Sequence, residues 1–191
     1  MDNNKKKEPS LAAVIFAAGK GRRIGMPKWQ IEYKGKTFLE IVAEKLRCSL
    51  IDNIICVKRK TFGIKLEGML YVDNITPELG MVSSLFYAAQ SYPMFDGYLI
   101  LPVDHPFIEV LTIIELKKAF GSNPSKVVRP TYNGIPGHPI FIPNSLVHFM
   151  KNPDYAGGLR QLIKESKTEI VDMNVNDPNI LKNVNLASDL N

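Results

Sequence analysis

An apolar run passes directly into a glycine-rich basic loop in Ala12-Ala13-Val14-Ile15-Phe16-Ala17-Ala18-Gly19-Lys20-Gly21-Arg22-Arg23-Ile24-Gly25-Met26-Pro27-Lys28. Residues 12–17 lack polar alternation, the pattern of a strand covered on both faces. The glycines after them permit positive φ and close approach of the backbone to a ligand. Exposed N–H groups in such a loop cradle anions, and Lys20, Arg22, Arg23 and Lys28 carry enough charge to balance a triphosphate. A P-loop is excluded, because no Gly-Lys followed by Ser or Thr stands after a four-residue gap. A dinucleotide-binding turn fits the glycine spacing better, but Pro27 interrupts it and the second strand ends in Lys58-Arg59-Lys60, not in an acid. A basic surface turn is the remaining alternative.

Outward from this loop, strand and helix patterns alternate. Strands are expected at Asn53–Val57, Met69–Val72, Tyr98–Val103, Val127-Val128, Ile140–Ile142 and Ile170–Met173. Helices are expected at Thr37–Leu46, Leu79–Gln90, from Pro106 through Phe120, and at Gly157–Glu165. The alternation predicts an α/β fold with a mostly parallel sheet and helices on both faces. In such sheets ligands bind beyond the carboxyl ends of the strands.

The chain has 191 residues, 45% hydrophobic and 23% charged, with net charge +5, the profile of a globular protein. Residues 1–9 read as a flexible solvated tail and 10–191 as a single domain. Lys5-Lys6-Lys7 before an apolar run superficially suggests a signal peptide, but cleavage there would remove the loop. No apolar run approaches the ~20 residues of a membrane span. Scattered basic residues point to neither nucleic acid nor membrane as partner. Cys48 and Cys56 are not at metal-ligand spacing, and each lies in an apolar run, so both are expected to be buried reduced thiols in a cytoplasmic protein.

Leu99-Ile100-Leu101-Pro102-Val103-Asp104-His105-Pro106 is a second buried strand, ending in an acid. A carboxylate there suits Mg²⁺, which prefers oxygen ligands and keeps several waters. It equally suits the N-cap of the following helix.

The string AAGKGRRIGMPK resembles the signature of the nucleotidyltransferase superfamily, and its Arg-x-Gly-x-Pro-Lys spacing is that of the molybdenum cofactor nucleotidyltransferases, the MobA-like NTP transferases. Three more stretches are similar to that family in the same order: Asn74 to Leu85 (NITPELGMVSSL), the P-x-D-x-P string around Asp104, and Gly134-Ile135-Pro136-Gly137-His138-Pro139. Asn183-Val184-Asn185-Leu186-Ala187-Ser188-Asp189-Leu190 resembles the family's ending, with Leu186, Ala187 and Ser188 replacing Thr, Pro and Glu.

The resemblance implies a three-layer α/β/α Rossmann-like nucleotidyltransferase fold and an Mg²⁺-dependent transfer of NMP from an NTP to a phosphorylated acceptor, releasing pyrophosphate. It assigns Arg23, Lys28 and Asp104 to catalysis. It assigns Ala17, Ala18, Gly19, Gly21, Arg23, Lys28, Asn74 and Gly80 to the nucleotide, His138 to the acceptor side, and Asp104 and Asn185 to the metal. His105 falls at a variable family position and reads as a bystander. Molybdopterin is the implied acceptor, with a molybdoenzyme client as a further partner. Ala18 stands where guanylyl-transferring relatives carry a second glycine and cytidylyl-transferring ones carry alanine, so CTP is favoured; it does not separate CTP from UTP. A sugar- or choline-phosphate nucleotidyltransferase and a non-catalytic nucleotide-binding accessory protein are the alternatives.

Overall fold

A computed structural model describes residues 8–21, 25–61, 63, 65–155, 157–185 and 189. The chain runs β1 (Leu11–Phe16), β2 (Glu32–Tyr33), β3 (Lys36–Thr37), α1 (Phe38–Cys48), β4 (Ile54–Lys58), β5 (Leu70–Asp73), α2 (Met81–Ser91), β6 (Gly97–Pro102), α3 (Val110–Ser122), β7 (Val127–Tyr132), β8 (Ile135–Pro136), β9 (Ile140–Pro143), α4 (Asn144–Phe149), α5 (Gly158–Ser166) and β10 (Ile170–Asn174).

The main sheet has the order β10-β7-β9-β6-β1-β4-β5, with β8 added to β7. β1 is parallel to β4 and β6, β4 to β5, and β10 to β7, while β9 runs antiparallel between β6 and β7. Alternate residues of the central strands feed two cores. Ala13, Ile15, Leu99 and Leu101 pack with Phe38, Val42 and Leu46 of α1 and Ile113, Leu116 and Phe120 of α3. Ala12, Val14, Tyr98 and Ile100 pack on the opposite face with Val82 and Leu85 of α2, Leu146 of α4 and Leu162 of α5. The apolar runs lack alternation because both faces are covered, giving the expected three layers.

Several differences from the sequence reading are local: β8 and α4 are unexpected, and the helix expected directly after Pro106 starts only at Val110. The Lys34-Gly35 turn, with φ of 50° and 79°, joins β2 to β3 as a hairpin, since two consecutive positive-φ residues match the twist of paired strands. Cys48 is exposed, not buried, because it ends α1 on the solvent side. Cys56 is buried in β4, and its burial pushes the thiol up to about 12, so it stays protonated and unreactive. Among the described residues no helix is long and apolar enough to cross a membrane.

Candidate active site

β1 is the point where the order of connections reverses. One crossover leads from it outward to β4, and the later ones return to β6 on its other side. The register pairs Phe16 with Pro102, so the glycine loop leaving β1 and the Val103-Asp104 turn leaving β6 emerge side by side. A hydrogen bond from Val103 N to Phe16 O at 3.3 Å joins the two exits.

The described residues at either end of the loop are closely held. Gly21 has φ +59°, and a Cβ there would lie 1.9 Å from Met26 O, so only glycine fits. Gly25 N donates to Gly21 O at 3.0 Å. Ala17 N donates to Val57 O at 2.9 Å, and Arg59 Nε donates to Ala18 O at 2.6 Å. The end of β4 therefore anchors the first residues of the loop.

Lys28, in a single 3-10 turn after Pro27, reaches back across the loop. Its ammonium donates to Asp104 Oδ2 at 2.6 Å and to Asn185 Oδ1 at 2.7 Å. The C-terminal segment is brought there by Val184 N, which donates to Asp104 O at 2.9 Å, and Asn185 N donates to Asp189 Oδ2 at 2.8 Å. Asp104 does not cap the next helix: α3 begins only at Val110, and Glu109 occupies the N-cap without a side-chain bond. The Asp104 side chain is thus turned to the cleft.

Ala18, Gly19, Gly21, Lys28, Gly80 and Asp104 line one cleft of about 240 Å³, whose far wall includes Met81 and Ser84. Gly80 sits there with φ +87° as the N-cap of α2, a conformation that favours glycine. Ala17 faces a second cleft on the other side of Gly19, with Lys20, Trp29 and Arg59.

Asn74 does not line the first cleft. It is 3% exposed, and its amide is spent on Ser83 Oγ at 2.8 Å, Ser84 Oγ at 3.0 Å and Thr76 N at 2.9 Å. It sets the wall from beneath. Arg23 lies outside the described residues, as do Leu186, Ala187 and Ser188.

His138 also stays out of this cleft. It packs against His105 with ring centroids 4.9 Å apart and lines a small apolar recess with Phe16, Met81 and Leu159. Nδ1 of each imidazole is buried without a partner among the described residues. Burial, reinforced by the neighbouring His105, pushes His138 down to about 4. Burial also lowers His105, against the pull of Asp104. Both rings are neutral at pH 7.

The family resemblance assigns neither Arg59 nor Ser84 to the site. The basic end of β4 was the available signal for the first. Ser84 belongs to the Asn74 to Leu85 stretch that resembles the family, where the glycine and serine amides open a helix toward the nucleotide and an ordinary capped helix is the alternative.

The acceptors around Lys28 suit a hard cation. A carboxylate oxygen and an amide oxygen converge on one point, which matches Mg²⁺ with its one or two protein carboxylates and retained waters. Among the described residues no three His, Cys, Asp or Glu gather to hold a metal, so a cation here would complete its shell with water or phosphate oxygens.

A doubly wound sheet, with a glycine loop and an acid meeting at its switch point, defines an α/β protein with a crevice where folds of this class bind ligands. The chain belongs to the MobA-like NTP transferase domain family, whose profile matches residues 13–170. It is 28% identical over 116 residues to a probable molybdenum cofactor guanylyltransferase of Geobacillus sp. (strain WCH70), covering 56% of this chain and 57% of that protein. It is also 28% identical over 134 residues to a probable molybdenum cofactor guanylyltransferase of Bacillus mycoides (strain KBAB4), covering 64% and 62%. The chain thus spans less than two thirds of the length of these relatives. Among solved structures, Rv0371c from Mycobacterium tuberculosis H37Rv shares the fold with a TM-score of 0.78 at 19% identity, covering 96% of each chain.

Proposed function

We propose that the protein is a nucleotidyltransferase of molybdenum cofactor biosynthesis, transferring NMP from an NTP to the phosphate of molybdopterin. The observation that carries this is the convergence of Lys28, Asp104 and Asn185 beside the glycine loop. Family membership and the names of the two bacterial relatives support it.

In the reaction an acceptor phosphate oxygen forms a bond to the NTP α-phosphorus. The bond from that phosphorus to the bridging β-phosphate oxygen breaks, and pyrophosphate leaves with the electron pair. Such transfers depend on positioning and charge stabilisation, without a covalent protein intermediate. The loop amides at Gly19 and Gly21 hold the phosphates, and Lys28 neutralises charge on the α-phosphate and the leaving group. Asp104 and Asn185 would hold Mg²⁺, which supplies Lewis-acid stabilisation of the same charge. His138 lies outside the cleft lined by Lys28 and Asp104, packed on His105 in the apolar recess, and burial keeps it uncharged.

CTP is the favoured donor on the Ala18 argument: its methyl narrows the floor on which a two-ring base would lie. The second reading is GTP, favoured by the guanylyltransferase names of both relatives. The test is pyrophosphate release with each of four NTPs and Mg²⁺, with molybdopterin as acceptor against sugar and choline phosphates.

A further inference from the structure

We propose that Lys28 is a latch on the cation site: its ammonium and a divalent ion compete for Asp104 and Asn185, so the ion gains those oxygens only when a polyphosphate draws the ammonium away. This rests on the nucleotidyltransferase reading of the same cleft.

The two contacts, at 2.6 and 2.7 Å, are short charge-assisted hydrogen bonds. The Lys28 and Asp104 side chains are 21% and 16% exposed, so solvent and salt screen them weakly. The Asn185 amide is oriented for this role, with Oδ1 toward the ammonium and Nδ2 toward Asn183 O at 3.5 Å.

Charge decides the competition. Asp104 contributes one negative charge and Asn185 none, so Lys28 already neutralises the pair. A divalent ion entering beside the ammonium would leave a net charge of about +2 in a half-buried site, which is costly. Once the ammonium swings to a triphosphate, the ion faces a free carboxylate and the phosphates carry the excess charge. Metal and nucleotide then bind with reciprocal positive coupling. The latch keeps a metal from seating in the cleft before the substrate that needs it.

The test uses Mn²⁺ as probe, titrated by electron paramagnetic resonance against the nucleotide-free 191-residue protein. Lys28→Met removes the competing charge. Lys28→Gln removes it while leaving an amide donor for Asp104, which guards against loss of folding. Both variants should bind Mn²⁺ about 5–150-fold more tightly than the wild type, the usual range of coupling between sites. Adding Asp104→Asn should abolish the gain. The latch is overturned if folded Lys28→Gln binds Mn²⁺ no better than the wild type, or if the gain survives Asp104→Asn. Pyrophosphate release by the wild type is scored separately. Its absence with every NTP and acceptor would reject the enzymatic reading while leaving the Mn²⁺ comparison to stand or fall alone.

Discussion

The Lys28 ammonium lies 2.6 Å from Asp104 Oδ2, although 76 residues separate them in the chain. The contact follows from the sheet. Parallel pairing of β1 with β6 places Phe16 beside Pro102, so the segments leaving both strands share one edge of the crevice. Lys28 closes the loop that leaves β1, and Asp104 stands in the turn that leaves β6.

Replacing Lys28 by Ala is expected to lower turnover by ~10²–10³, the cost of losing one preorganised charge-stabilising donor. Lys28→Arg should rescue only in part, because a planar fork does not replace a point charge. Pyrophosphate release at saturating NTP measures both, and near-normal turnover of Lys28→Ala would remove this residue from the chemistry.

Asp104→Asn should lose divalent-dependent turnover while unfolding within about 1–2 kcal/mol of the wild type. The backbone bond from Val184 N to Asp104 O survives the change, and an amide oxygen can still accept from Lys28. Denaturant unfolding beside the activity assay checks this. A folded variant with full metal-dependent activity would contradict the assignment.

Arg59→Ala should weaken NTP binding more than it slows the chemistry. Arg59 Nε holds the Ala18 carbonyl at 2.6 Å, and a charge-assisted bond of this kind contributes about 1.5–3 kcal/mol. KM for the nucleotide should therefore rise about 10-fold or more, with kcat changed less. Equal losses in kcat and kcat/KM would place Arg59 in the transition state instead.

Stability should fall as pH drops from about 6.5 through about 4. His138 binds a proton less readily folded than unfolded, so the unfolded chain takes up protons first, and acid favours it. The depression to about 4 corresponds to about 3 kcal/mol at full protonation, and His105 acts in the same direction. His138→Gln should flatten the stability curve between these limits in urea titrations across pH. An unchanged slope would show that the ring is not held neutral by burial.

The long apolar strands were legible because β1, β4 and β6 are covered on both faces and so carry no polar residues in their centres. Short elements were not: two-residue β2, β3 and β8 are too brief for any period to show, and α4 occupies only Asn144–Phe149. Lys28, Asp104 and Asn185 were each visible as candidates, but their meeting depends on strand register, which no local pattern encodes. The resemblance assigns Asn74 to the nucleotide, whereas its bonds to Ser83 and Ser84 form only when α2 packs behind β5. The pairing of His105 with His138 was hidden in the same way, since their segments meet only in the tertiary fold.

The central claim is tested most directly by incubating the purified wild-type protein with Mg²⁺, molybdopterin and each NTP in turn, and measuring pyrophosphate. The account predicts pyrophosphate matched by a molybdopterin dinucleotide product, with CTP ahead of GTP by at least about tenfold, and a smaller gap in Ala18→Gly. GTP ahead of CTP would overturn the base assignment alone. No pyrophosphate with any NTP, from protein shown to be folded, would contradict the account.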